Sequence, residues 1–165
     1  MLPNSSIASQ INAAQYLDLL SIRIRGISQL EIVVREAVAN SQRRGHAFFG
    51  SDRPELAAIV QDAVPIESVD GCLTYRFYWK NFVAHLVTEE CVGSCGKYDD
   101  ELYEGRIFRK YSKSHFLEHL SRDTGGHFNP LVHYKIICLN QLIDVVAEVY
   151  PEIEILQQFS GVTIQ

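Results

Sequence analysis

Residues 72–80, CLTYRFYWK, alternate without a break. In an extended chain Leu73, Tyr75, Phe77 and Trp79 fall on one side, and Thr74, Arg76, Tyr78 and Lys80 on the other. Large apolar residues at every second position have the period of a half-buried strand and not that of an amphipathic helix. A chain with this segment must build a sheet and cover one of its faces with a second apolar layer. Asp70-Gly71 just ahead is a hairpin signal. A turn near Asn81 is expected to return the chain through FVAHLVTEE as a meander.

Elsewhere the periods are mixed. Residues 7–19 place Ile7, Ile11, Ala14 and Leu17 near one helical face, and SIRIRGI then alternates as a strand with Ile22 and Ile24 inward. Ser28-Gln29-Leu30-Glu31 has the form of a capping box, with Ile27 placed to staple onto Ile32. It predicts a helix to about Ser41 that buries Leu30, Val34, Ala37 and Val38. QRRGHAFFG reads as a loop, and Asp52-Arg53-Pro54-Glu55 as the start of a short helix through Leu56, Ile59 and Val60. Residues 91–105 read as a loop or ragged strand, RIFRKYS as a strand, and KSHFLEHLSRD as a helix capped by Ser112 or Ser114. DTGGHFNP is a loop. VHYKIICLNQLIDVVAEV reads as two strands turning at Asn140-Gln141, its second half also open to a buried helix, and Pro151 ends it. The expectation is a single α+β domain over residues 1–165, a mostly antiparallel β-sheet with three or four helices packed mainly on one face.

The net charge of −5 is unevenly spread. Residues 1–84 are balanced, residues 85–105 hold six acids against Lys97 alone, and residues 106–135 are basic. The acidic balance argues against a free nucleic-acid binder, which needs basic stripes to neutralise phosphates. No run of about 18 apolar residues is present, so no spanning helix is expected, and four cysteines in this length fit a reducing cytoplasm better than a disulfide scaffold.

Candidate chemistry is sparse. Cys91 and Cys95 form half of a zinc site that His115 and His119, four apart, are able to complete. A redox dithiol is disfavoured, because the acids that follow raise thiol pKa values. Cys72 and Cys138 stand in apolar strands as small core residues, and His85 and His133 as hydrogen-bonded sheet residues. Nucleophile-elbow, phosphate-loop and dinucleotide-fold patterns do not occur, so an enzyme is the lesser reading and no cofactor is expected. Its best residue is His127, in the glycine-rich loop, as a general base beside a pocket.

The more informative surface joins acids to tyrosines. Glu89, Glu90, Tyr98, Asp99, Asp100, Glu101, Tyr103 and Glu104 form the candidate partner-binding set, with Trp79 and Phe82 as apolar neighbours. Tyrosine gives rigid contact area and acids give steering toward a basic protein. The stretch YDDELYEGRIFRKYSKSHFLEHLSRDT followed by HYKIICLNQLIDVVAEVYPEI resembles small bacterial α+β proteins of about this size. In type the chain is similar to the immunity proteins that neutralise secreted interbacterial toxins. That resemblance implies a cytoplasmic protein whose acidic and aromatic surface occludes a toxin's active site, without touching nucleic acid or membrane, and it supplies no catalytic residue.

Overall fold

The computed structural model describes residues 4–43, 63–93, 100–127 and 130–158. Strand β1 (Tyr16–Arg25) turns at Gly26 into β2 (Gln29–Ala39), and β2 pairs in turn with β4 (Leu73–Trp79). Strand β10 (Glu152–Gln158) completes the row β1-β2-β4-β10, and the two-residue β3 (Ile66–Glu67) pairs with the end of β2. A second sheet runs β5-β9-β8-β7-β6, from β5 (Phe82–Glu89), β6 (Leu102–Glu104), β7 (Phe108–Lys113), β8 (Val132–Ile137) and β9 (Gln141–Ala147). Every pairing in both sheets is antiparallel.

The two sheets share one core. Ile32, Val34, Tyr75, Phe77 and Trp79 from the first meet Phe108, Tyr134, Ile136, Ile143 and Val145 from the second, all buried. The ring centroids of Phe77 and Phe108 lie 5.0 Å apart, and those of Trp79 and Tyr134 6.0 Å apart. Helix α1 (Asn4–Ala13) adds Ile7 and Ile11 and packs near β10 and β7. At two corners the main chain stitches the sheets together: Leu139 donates to the Leu17 carbonyl at 2.8 Å, and Phe82 to that of Ser28 at 2.9 Å.

The expected single sheet is therefore corrected to two facing sheets. Trp79 and Phe82 stand only a turn apart, yet β4 and β5 belong to different sheets, so the meander is not formed. The alternation of Leu73 to Trp79 holds, with Tyr75, Phe77 and Trp79 fully buried. Trp79 thus has no surface to offer a partner, and Phe82 is partly buried against the core.

The helix expected over residues 28–41 is strand β2. Leu30, Ile32 and Val34 are buried with a period of two, and the β-branched run Ile32-Val33-Val34 fits a pleated surface better than a helix. Glu31 makes no capping box; it accepts from Arg25 across the hairpin at 2.9 Å, and Ile27 is fully exposed at the turn. Ile24, expected inward, is 55% exposed at the sheet edge. The helix expected over 7–19 stops at Ala13, and Asp70-Gly71 closes no hairpin. Strands β3 and β4 lie end to end along β2, and residues 68–72 bulge out between them on Gly71, whose φ is +98°.

Three or four helices on one face are not found. Among the described residues two helices exceed a single turn, α1 and α3 (His115–Asp123), with a one-turn α2 at Glu90–Gly93. They lie apart, α1 against β10 and β7, and α3 against β8. The loop after Arg43 and the helix expected through Leu56, Ile59 and Val60 lie outside the described residues. Residues 142–147 are strand, and β10 forms immediately beyond Pro151.

Candidate functional site

Edge strand β6 and the start of α3 make a corner on the second sheet. The turn from β6 into β7 needs Gly105, whose φ is +92° and where a Cβ would lie 2.1 Å from the Phe108 carbonyl oxygen. Asn12, near the end of α1, holds that turn. Its Oδ1 accepts from the backbone N–H groups of Arg106, Ile107 and Phe108 at 2.8, 2.9 and 3.0 Å. The Arg106 guanidinium returns to the carbonyls of Asn12 and Ala14.

Asp100 fastens the other side of the corner. One carboxylate oxygen accepts from Lys113 at 2.8 Å and the other meets His115 Nε2 at 2.7 Å. The Lys113 ammonium, and after it His115, hold the Asp100 carboxyl down at a pKa of about 2. Glu101 accepts from the His115 backbone N–H at 2.9 Å, and the Ser114 hydroxyl accepts from that of Leu117 at 3.0 Å. Together they satisfy donors that the first turn of α3 would otherwise leave open. Ser114 is thus the cap that the sequence allowed to be Ser112 or Ser114.

Between these anchors Leu102 and Tyr103 stay exposed, at 59% and 47%. The Tyr103 ring packs against Tyr111, 5.1 Å between centroids, with the Arg109 guanidinium 4.2 Å from its centre. A groove of about 510 Å³ opens beside them, lined by Leu102, Tyr103, Tyr111, Leu117, Leu131 and Val132 among others. The acids here face cations of the same chain: Glu104 lies 3.5 Å from Lys110, and Asp100 is shared by Lys113 and His115. The corner is amphipathic rather than simply acidic.

Of the candidate partner-binding residues, the fold brings together Asp100, Glu101, Tyr103 and Glu104. Glu89 ends β5 and Glu90 starts α2, at the far edge of the same sheet, with β9, β8 and β7 in between. Tyr98 and Asp99 lie outside the described residues. So does Cys95, while Cys91 is exposed on α2. His115 is engaged with Asp100, and His119 lies 3.4 Å from Asp123. Among the described residues no three His, Cys, Asp or Glu side chains are grouped to hold a metal ion. His127 is exposed on the loop after α3 and is not among the groove's lining residues.

Beneath α3 lies a buried polar relay. His133 contacts Ser114 Oγ through Nδ1 at 2.8 Å and Asp144 Oδ1 through Nε2 at 2.7 Å, and Lys135 reaches the same Asp144 oxygen at 3.2 Å. Tyr111 stacks on the His133 ring at 4.2 Å. Asp144 accepts, so Nε2 carries the ring proton and Nδ1 takes the Ser114 hydroxyl hydrogen. Burial works against the Lys135 ammonium, but Asp144 and Tyr111 outweigh it and hold its pKa above the ordinary value. A serine, a histidine and an aspartate in line suggest nucleophilic catalysis. Ser114 is only 1% exposed, however, and its oxygen is already committed as the cap of α3, which leaves no approach for a substrate carbonyl. The relay is a structural pin between α3, β8 and β9, so His133 serves as the hydrogen-bonded sheet residue expected of it. The readable signal for the pin was Lys135, which faces Asp144 directly across the β8–β9 ladder.

No helix among the described residues is long and apolar enough to cross a membrane. Compared with family models, curated proteins and solved structures, the chain matches none of them.

Proposed function

We propose that this chain is a protein-binding module of the immunity type, which acts in the cytoplasm and neutralises a toxin by seating the β6–α3 corner over its active site. The observation that carries this reading is that Leu102 and Tyr103 remain exposed on a strand pinned at both ends, by Asp100 and Glu101 on one side and by Gly105 and Asn12 on the other. A tyrosine already held between a ring and a guanidinium loses little freedom on binding, so its contact area converts efficiently into affinity.

Charge plays a different part from contact. The corner's own acids are matched locally, while the whole chain carries −5, which attracts a basic toxin domain over distance. The corner then discriminates by shape and aromatic contact, with Glu104 at its rim.

The test is a photo-crosslinking amino acid placed at Tyr103 in producing cells. Capture of a discrete partner protein from Tyr103, and none from Tyr78 on the outer face of the other sheet, is the expected result. Equal capture from both positions, or from Tyr78 alone, overturns the assignment.

A further inference from the structure

We infer that two copies of this chain pair antiparallel through β5, joining the second sheet of each into one continuous sheet. Among the described residues β5 pairs only with β9 and ends the sheet at the edge opposite β6. Its sequence, FVAHLVTE, contains neither lysine nor proline, and Leu86 and Val87 are 48% and 39% exposed. A bulge between Phe82 and Ala84 and the charge of Glu89 guard only its two ends, and the stretch between them is a template for another strand.

Hydrogen-bond direction and charge select the occupant. Glu90 donates to the Asn140 carbonyl at 3.2 Å while Glu89 stands opposite Gln141. In an antiparallel ladder this makes 88/142 and 86/144 the hydrogen-bonded pairs, so His85, Val87 and Glu89 turn their backbone groups outward. A two-fold partner must set outward residues against outward residues. With the axis on Val87, Val87 faces its own copy and His85 faces Glu89 on both sides. Leu86 then faces Thr88 and lies diagonal to its own copy. With the axis on His85 the ring faces another ring, with it on Leu86 His85 faces Val87, and with it on Thr88 Val87 faces Glu89. None of these gives Glu89 a partner of opposite charge. Of these registers only the one centred on Val87 places the strand's one carboxylate opposite its one histidine. The β6–α3 corner is three strands away, so this pairing leaves it open.

Sedimentation equilibrium of the full chain up to about 100 µM, where a dimer of Kd about 10 µM is mostly associated, tests the inference. Val87→Lys sets two ammonium groups on the axis and is expected to give a monomer with unchanged circular dichroism. His85→Glu should weaken the dimer at least about tenfold, and His85→Glu combined with Glu89→His should restore it. This swap reads the register even where Val87→Lys does not fold. A monomer throughout the range for the unaltered chain, a dimer insensitive to Val87→Lys, or a swap that fails to restore association overturns the inference.

Discussion

Asp100 holds His115 at 2.7 Å across the gap between β6 and α3, while its second oxygen holds Lys113 at 2.8 Å. One carboxylate therefore sets the position of the exposed strand Leu102–Glu104 relative to the helix beside it.

This link should outlast most acid conditions. The Asp100 carboxyl is held at about 2 by Lys113 and His115, against about 3.9 in an unfolded chain. Because the folded value is the lower one, the contribution is present above the unfolded pKa and is lost as pH falls toward about 2. A carbon-13 NMR titration should show the Asp100 carboxyl still mostly ionised at pH 3. Titration near 4 would show that Lys113 and His115 do not hold it in solution.

The relay beneath α3 should matter for stability. Ser114→Ala removes both the α3 cap and a hydrogen bond to buried His133, and should cost about 2 kcal/mol. Asp144→Ala leaves Lys135 and His133 facing a buried gap and should cost about 3 kcal/mol or more. Urea denaturation of the two variants measures both costs. Losses below about 0.5 kcal/mol would mean that the relay does not hold α3 to the sheet.

Thiol and phenol chemistry should separate surface from core. Cys91 is exposed, whereas Cys72 and Cys138 are buried, and burial, followed by the Asp18 charge, pushes the Cys138 thiol up to about 12. Iodoacetamide should therefore label Cys91 in the native protein and spare Cys72 and Cys138, as read by peptide mass spectrometry. Burial and then Tyr150 raise Tyr134 to about 12, and burial together with the Glu36 hydrogen bond raises Tyr75 further. These groups keep protons that the unfolded chain releases from about pH 9 upward. Stability should then fall with rising pH over that range, by about 1.4 kcal/mol per pH unit for each group that titrates only when unfolded. A flat denaturation profile between pH 9 and about 11 would contradict this burial.

What the sequence revealed depended on how local the deciding interaction was. Strand β4, the two strands about Asn140 and the Ser114 cap rest on neighbours in the chain, and they were legible. Strand β2 was not, because a well-formed capping box competes with ladders to β1 and β4, and β4 lies some 40 residues away. The hairpin signal at Asp70-Gly71 specified a turn without specifying what the turn joins. Of the site, the grouping of Asp100, Glu101, Tyr103 and Glu104 follows from adjacency. Their engagement with Lys113, His115 and Arg109 depends on the β6–β7 register, and the Asn12 clamp spans more than 90 residues. The partition of Glu89 and Glu90 from the rest depends on strand order, which pattern alone does not carry.

Tyr103 is the contact that the proposed binding mode needs most. Isothermal titration of the captured partner against Tyr103→Ala tests this directly, with the melting profile of the variant recorded alongside. A fall in affinity of about 30-fold or more, corresponding to a contact of about 2 kcal/mol, with the fold unchanged is the predicted result. Affinity equal to that of the unaltered chain would contradict it.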